Sequence, residues 1–146
     1  LSAAPLLLGV DGRKMSKSRG NAIALKADED ETARLIRRAV TDASREITYA
    51  PDTRPEVSSL VLAGALCAGA SPEDFAASVG SGGAMALKAA VTEAVNEHLR
   101  PIRQRRAQLA GDPSIVRDTL RAGNDRANEI AAATLDTVQA AMGMRY

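Results

Sequence analysis

Two kinds of hydrophobic pattern follow one another along the chain of 146 residues. The apolar run LLLGV, residues 6–10, breaks at Asp11 and Gly12, which predicts a buried strand that ends in a turn. From Asp28 onward the apolar positions recur with helical spacing instead. We therefore expect a mainly α chain, in which a short strand and a loop precede a bundle of helices.

Three helices are predicted in the first half of the bundle. Residues 28–40 open with the acidic stretch DEDE and have three arginines towards the end, an order of charge that favours the helix dipole. The apolar face of this helix is predicted to consist of Leu35, Ile36, Ala39 and Val40. Residues 49–55 contain two prolines and are expected to be irregular. Residues 57–66 are apolar on nearly all sides, which is typical of a helix in the core. Ser71, followed by proline and an acid three positions later, predicts the N-cap of a third helix that ends near Val79.

Two longer helices are predicted in the second half. The fourth covers about residues 84–110, and Pro101 should kink it because proline removes a backbone donor. The fifth begins after the GDP stretch at residues 111–113 and continues to about Gly143. A connection of three residues between two long helices predicts an antiparallel hairpin at the C-terminal end.

Composition excludes several classes of protein. A net charge of +1 and 2% aromatic residues argue against a protein that coats single-stranded nucleic acid. One cysteine and one histidine cannot form a disulfide framework or a four-ligand zinc site, so no metal site is expected. The longest apolar stretch, residues 60–70, is too short to cross a membrane. We expect a cytoplasmic protein.

The segment GRKMSKSRGN, residues 12–21, is the strongest candidate for chemistry. Lys14 and Lys17 lie three positions apart between two glycines, and serines lie between and after them. Mobile ammonium groups, hydroxyls and turn amides together suit a phosphate chain whose charge changes during a reaction. The spacing is not that of a P-loop. On composition alone, a solvated surface loop is the more common explanation of such a segment.

The literal string KMSKS, residues 14–18, is similar to the signature loop of class I aminoacyl-tRNA synthetases. The similarity continues through the chain, which resembles the C-terminal part of the bacterial tryptophanyl-tRNA synthetases from end to end. It is carried by the strings GRKMSKSRGNAIAL, IRRAVTDA, ITYAPDTRPEVSSL, AVNEHLRPIRQR and AGNDRANEIAAATLDTVQAAMG.

The resemblance implies an ATP-dependent ligase that joins tryptophan to tRNA(Trp) through a tryptophanyl-adenylate. It implies that residues 1–25 are the last strand and the signature loop of a Rossmann-type catalytic domain, and that residues 26–146 are a helical region that binds the tRNA anticodon. Lys14 and Lys17 would be catalytic. The ATP-binding residues would be Lys14, Met15, Ser16, Lys17 and Ser18. Mg²⁺ would accompany ATP as substrate, with no tightly bound cofactor, and the parent protein would be a homodimer.

The sequence also departs from the resemblance. The family's H-x-G-H motif for ATP is absent, since the only histidine is His98, and the tryptophan pocket is missing as well. We therefore expect a fragment that is inactive and monomeric by itself and is catalytic only within a longer protein. Two alternatives stay open: a non-catalytic helical module that binds tRNA or a protein, and a tyrosine-specific relative.

A group of arginines in the two long helices is a candidate surface for tRNA. Arginine suits both phosphates and bases, because its guanidinium forms paired hydrogen bonds and stacks on rings. Nearby acids could neutralise much of this charge, so a solvated face with ion pairs is an equal alternative. The candidates are Arg100, Arg103, Arg106, Arg117 and Arg121.

Overall fold

The computed structural model describes residues 7–144, and within them the chain is helical without a strand. The prediction of a mainly α chain is confirmed. A single turn of 3-10 helix, Lys17–Arg19, precedes the five α-helices. These are α1 (Glu29–Arg37), α2 (Pro55–Ala68), α3 (Pro72–Val79), α4 (Gly83–Gly111) and α5 (Pro113–Ala141). The chain forms two compact units, one up to Arg103 and one from Gln104 onward.

Three helices begin close to where the sequence predicts their starts, and each start has a side-chain cap. The carboxylate of Asp28 accepts from the N–H of Glu31 at 2.7 Å, and the hydroxyl of Ser71 accepts from the N–H of Asp74 at 3.1 Å. Asp112 caps α5 by accepting from the N–H of Ser114 at 3.0 Å. These oxygens satisfy backbone donors that the first turn of a helix leaves without a partner.

The predicted strand does not form in the described part of the chain; Leu6 lies outside that part. An isolated antiparallel bridge between Leu8 and Lys14 is the only pairing of β type among residues 7–144. The N–H of Leu8 donates to the hydroxyl of Ser59 in α2 at 2.8 Å, and the N–H of Val10 donates to the carbonyl of Asn21 at 2.9 Å. A ladder needs a neighbouring strand, and here these donors are used by α2 and by the loop instead.

Helix α1 ends earlier than the pattern predicts. The expected helical face included Val40, but the helix stops at Arg37 and the chain turns back. The N–H of Val40 donates to the carbonyl of Val10 at 2.9 Å, which ties the segment after α1 to the segment before the loop. Val40 is consequently exposed rather than packed.

The hydrophobic core lies in the first unit. α3 packs against α2, where the ring of Phe75 lies directly over Gly64. Because Gly64 has no side chain, the ring can approach the helix backbone closely. The buried core consists of Ile36, Ile47, Val57, Val61, Ala65, Phe75, Ala76, Leu87, Val91, Val95 and Leu99.

Polar side chains of α4 hold both ends of α1 within the first unit. Lys88 donates to the carbonyl of Arg37 at the end of α1, at 3.2 Å. Asn96, two turns further along α4, donates to the carbonyl of Glu29 at the start of α1, at 3.3 Å. The order of these contacts shows that α1 and the first part of α4 run in opposite directions.

The second unit contains the end of α4 and all of α5. Helix α5 has no buried residue among those described. The antiparallel hairpin of α4 and α5 therefore stays a prediction. α4 continues as a helix through Pro101, and no described helix is both long enough and apolar enough to cross a membrane.

Candidate functional site

A tight turn opens the candidate loop. Gly12 adopts φ +75°, a left-handed conformation that glycine reaches without steric cost, and its N–H donates to the carbonyl of Gly9 at 2.9 Å. The N–H of Gly9 donates to the carbonyl of Arg13 at 2.7 Å. This turn reverses the chain and brings Lys14 opposite Leu8.

A single 3-10 turn carries the second lysine. Ser16 precedes this turn in an extended conformation, and Gly20 closes it with φ +61° and an N–H that donates to the carbonyl of Lys17 at 3.2 Å. The hydroxyls of Ser16 and Ser18 lie 2.8 Å apart and share a hydrogen bond. Two hydroxyls and one ammonium group are thus presented from a segment of three residues.

The side chain of Asn21 connects the tight turn at the start of the loop with the segment that leads into the 3-10 turn. Its side-chain amide Nδ2 donates to the carboxylate of Asp11 at 2.7 Å and to the carbonyl of Lys14 at 3.1 Å. Its Oδ1 accepts from the N–H of Ser16 at 2.8 Å. Asn21 is only 3% exposed, so one buried side chain bonds to the main chain on both sides of Met15.

The charge of Asp11 is stabilised by the same network. The hydrogen bond from Asn21 is the main reason that the pKa of the Asp11 carboxyl is lowered from its ordinary value, and the N–H of Arg13 adds to the effect at 3.1 Å. The carboxylate of Asp11 therefore serves as a hydrogen-bond acceptor within the loop.

Gly9 lets the main chain lie against this amide. A methyl group at Gly9 would overlap both the side-chain amide and the carbonyl of Asn21. Gly9 is therefore required because a larger residue would not fit: the backbone of residue 9 lies directly against the buried Asn21.

The cationic side chains of the loop all face outward. Lys14 and Lys17 are exposed, as are Arg13 and Arg19. Met15 is 42% exposed and lines a mainly apolar cleft of about 440 Å³ in the first unit. The loop can thus offer several positive charges, two hydroxyls and turn amides to an anion of several charges, such as a phosphate chain.

The chemistry of the donors does not favour a protein-bound metal ion in this unit. Among residues 7–144, no three His, Cys, Asp or Glu side chains come together as a metal site. The loop's groups are cations and donors, which attract phosphate rather than a divalent cation.

The structure separates the five candidate arginines by environment. Arg100 pairs with Glu97 at 2.6 Å and Arg121 pairs with Asp118 at 3.7 Å, in both cases on the surface of one helix. Arg106 and Arg117 are exposed.

Arg103 differs from the other arginines because it is partly buried in the first unit. Its guanidinium donates to the carbonyl of Ala27 at 2.8 Å, to Asn96 at 3.0 Å and to the hydroxyl of Thr32 at 2.9 Å. The bonds to Ala27 and Thr32 hold α4 against the start of α1. Arg103 therefore has a structural role that charge patterning did not predict.

Several residues of the site carry no functional signal in the sequence. The pattern predicts Asp11 and Gly12 only as a turn, and it gives no role to Gly9 or Asn21. A single asparagine after a glycine is not a distinctive motif. Its role here depends on partners up to ten positions away, which the local sequence does not identify. The space requirement at Gly9 becomes visible only when Asn21 is placed.

Comparison with known proteins defines the class. Residues 2–100 match the family model described as tRNA synthetases class I (W and Y). The chain belongs to this family.

Similarity to individual relatives is more specific. The chain is similar to tryptophan–tRNA ligase 1 of Streptomyces avermitilis, with 40% identity over 134 residues, covering 90% of this chain and 40% of that protein. It is also similar to tryptophan–tRNA ligase 1 of Streptomyces coelicolor, with 37% identity over 134 residues, covering 90% of this chain and 39% of the relative. The chain thus spans well under half of these proteins.

Solved structures share the fold. A crystal structure of tryptophanyl-tRNA synthetase from Campylobacter jejuni, complexed with ADP and tryptophan, matches with a TM-score of 0.77 and 23% identity, over 98% of this chain and 45% of that one. The synthetase from Mycoplasma pneumoniae matches with a TM-score of 0.69 and 25% identity, over 96% of this chain and 46% of that one.

Proposed function

We propose that this chain supplies the phosphate-binding loop and the helical region of a tryptophan–tRNA ligase. In the proposed reaction tryptophan and ATP form tryptophanyl-adenylate and pyrophosphate, and the tryptophanyl group then passes to tRNA(Trp). The names of the relatives support the choice of tryptophan. The observation that carries the proposal is the loop itself, in which Asn21 holds a turn that presents Lys14 and Lys17 to solvent.

Each loop residue has a proposed part in adenylate formation. The tryptophan carboxylate attacks the α-phosphorus of ATP, and the bond from that phosphorus to the oxygen of the leaving pyrophosphate breaks. Lys14 and Lys17 bind the phosphates, and Lys17 stabilises the charge that develops at the α-phosphate. Met15, Ser16 and Ser18 position the nucleotide through backbone and hydroxyl groups.

Mg²⁺ enters this proposal as part of the substrate. The loop's donors fit ATP phosphates, whereas the described residues offer no cluster of carboxylates to hold the ion. We therefore assign to Mg²⁺ the neutralisation of phosphate charge when ATP binds, and to this chain the binding and orientation of the phosphates. No tightly bound cofactor is proposed.

We also propose a functional division of the chain at residue 25. Residues 1–25 would complete the catalytic domain of Rossmann type, and residues 26–146 would bind the tRNA anticodon. The compact units divide elsewhere, after Arg103, because the loop segment and helices α1 to α3 belong to one packed unit. A boundary in function need not coincide with a boundary in packing.

Exposed arginines of the long helices are proposed to contact tRNA. Arg106 and Arg117 are exposed, while Arg100 and Arg121 have exposed ion pairs that solvent weakens. Arg103 is proposed to act on this surface only by holding its helix in place. The whole protein is further proposed to be a cytoplasmic homodimer.

The first experiment measures the size of the native polypeptide in cells with an antibody against these residues. A band well above 15.2 kDa, by roughly 150 to 200 residues, supports a catalytic domain in the same polypeptide. A band at 15.2 kDa supports the alternative of a separate binding module.

The second experiment measures ATP–pyrophosphate exchange by the native polypeptide. Lys17→Ala is expected to lower tryptophan-dependent exchange by on the order of a hundredfold, with little change in tryptophan binding. Lys26→Ala is the matched control, since Lys26 is also an exposed lysine but lies outside the loop. Exchange that depends on tyrosine would support the tyrosine-specific alternative, and an unchanged rate in Lys17→Ala would exclude its catalytic role.

A further inference from the structure

We propose that Asn21 is the positioning residue of the phosphate-binding loop: it sets the separation and orientation of Lys14 and Lys17 by bonding to the main chain on both sides of Met15. This inference rests on the proposed function of the loop. Asn21 is buried, whereas Lys14 and Lys17 are exposed, so it is a candidate to position the lysines rather than to contact phosphate itself.

The hydrogen-bonding capacity of a primary amide matches this position. Nδ2 has two N–H groups, and its two acceptors are the Asp11 carboxylate and the Lys14 carbonyl. Oδ1 accepts from the N–H of Ser16. Of the side chains similar in size, aspartate keeps the acceptor but loses both donors when ionised, and leucine loses all three bonds.

These bonds fix the backbone around the two lysines. The Lys14 carbonyl and the Ser16 N–H belong to the peptide units on either side of Met15, so one amide determines the course of the chain there. The bond from Ser16 to Asn21 also closes a ring of six residues that contains the 3-10 turn and Lys17. Within that ring the backbone bonds are long: Arg19 to Ser16 and Gly20 to Lys17 each measure 3.2 Å.

Other parts of the first unit hold Asn21 in place. The main-chain carbonyl of Asn21 accepts from the N–H of Val10 at 2.9 Å, and the carbonyl of Val10 accepts from the N–H of Val40 at 2.9 Å. Gly9 packs directly on the amide. The geometry of an exposed loop is therefore set from its buried side, so the loop is organised before it binds phosphate, which lowers the entropic cost of reaching the transition state.

The test replaces Asn21 with aspartate in the native polypeptide and measures exchange kinetics. In Asn21→Asp, a second carboxylate faces Asp11 and the Lys14 carbonyl, so both contacts become repulsive. We expect kcat to fall by on the order of tenfold or more, with KM for tryptophan unchanged. Asn96→Asp is the matched control, because Asn96 also bonds to backbone in the first unit but lies outside the loop.

A pH profile separates positioning from a general loss of stability. The carboxylate of Asp11 raises the pKa of a carboxyl group at position 21, and the protonated carboxyl can donate a hydrogen bond again. The activity of Asn21→Asp relative to wild type should therefore recover as the pH is lowered and fall as it is raised. Asn96→Asp should show no such trend.

The outcomes distinguish the two proposals. A wild-type polypeptide without tryptophan-dependent exchange overturns the proposed function, and the role of Asn21 in it as well. An active wild type in which Asn21→Asp and Asn96→Asp have the same kcat overturns only the positioning role.

Hydrogen exchange adds an independent check: Asn21→Ala should remove protection at the Ser16 N–H, and a Ser16 N–H that is unprotected in wild type overturns the inference.

Discussion

The guanidinium of Arg103 donates a hydrogen bond of 2.9 Å to the hydroxyl of Thr32, a side chain with no exposed surface. The same guanidinium donates to the carbonyl of Ala27, just before α1. A charged side chain at the end of the first unit thus satisfies a buried hydroxyl and a backbone carbonyl that are more than seventy positions earlier.

Replacing Arg103 should consequently destabilise the first unit. Arg103→Met keeps most of the apolar stem but removes every donor, which leaves Thr32 and the Ala27 carbonyl without their partner. We expect the free energy of unfolding to fall by about 2 kcal/mol in urea denaturation. Arg106→Met on the same helix is the control and should change it by less than about 0.5 kcal/mol. Equal effects would contradict the structural role of Arg103.

Charge reversal at Arg106 and Arg117 should weaken tRNA binding by the native polypeptide. Both side chains are exposed, and each reversal replaces an attraction to phosphate by a repulsion. The affinity should fall on the order of tenfold and its salt dependence should become weaker, while ATP–pyrophosphate exchange stays intact. Reversal at Arg34 and Arg45 changes the net charge equally and is the control. If both pairs reduce the affinity alike, the arginines form only a solvated face.

Adding one methyl group at Gly64 should disrupt the packing of α2 and α3. A Cβ at this position would overlap the ring of Phe75, which is 8% exposed and belongs to the core. We expect Gly64→Ala to lower the free energy of unfolding by about 1 to 3 kcal/mol. Gly123→Ala introduces the same methyl group into α5, where nothing lies within 4 Å, and should raise helix stability by about 0.5 to 1 kcal/mol. Thermal unfolding followed by circular dichroism measures both.

The pair of Asp42 and Arg54 should make stability depend on acid pH. Two hydrogen bonds of 2.7 and 2.8 Å from the guanidinium are the main reason that the pKa of the Asp42 carboxyl is lowered. A pKa that is lower in the folded state gives stability above the ordinary carboxyl pKa, and this stability is lost as the pH falls through the folded value.

Asp42→Asn should therefore be less stable than wild type near neutral pH, and the difference should shrink as the pH is lowered below the ordinary pKa of a carboxyl group. Urea denaturation at several pH values measures this difference. Asp52→Asn, at an exposed carboxyl nearby, is the control. A difference that does not change with pH would show that the ion pair does not cause it.

The starts of the helices could be predicted because their signals are local. Asp28, Ser71 and Asp112 cap helices through bonds to residues two or three positions away. The predicted strand is wrong for residues 7–10 because a strand needs a partner, and the backbone donors of Leu8 and Val10 are used by α2 and the loop. The prediction that Val40 is helical is also wrong, because hydrophobic periodicity does not show that its N–H bonds to the carbonyl of Val10.

Some residues of the candidate site could likewise be identified from the sequence, and others could not. Lys14, Lys17 and the serines can be identified from the string KMSKS, whose resemblance to a known family is a property of the sequence alone, although their roles stay proposals. The function of Arg103 within the first unit could not be predicted, because its acceptors become neighbours only when α1 and α4 pack together.

The sequence by itself determined the helical class of the protein, the starts of three helices and the segment that we propose binds phosphate, since each depends on residues close together in the chain. Only the tertiary structure decided how that segment is held. A buried amide at Asn21 and a glycine at position 9 without room for a methyl group act through contacts across the fold, and side-chain identity alone does not show which partners folding will bring within bonding distance.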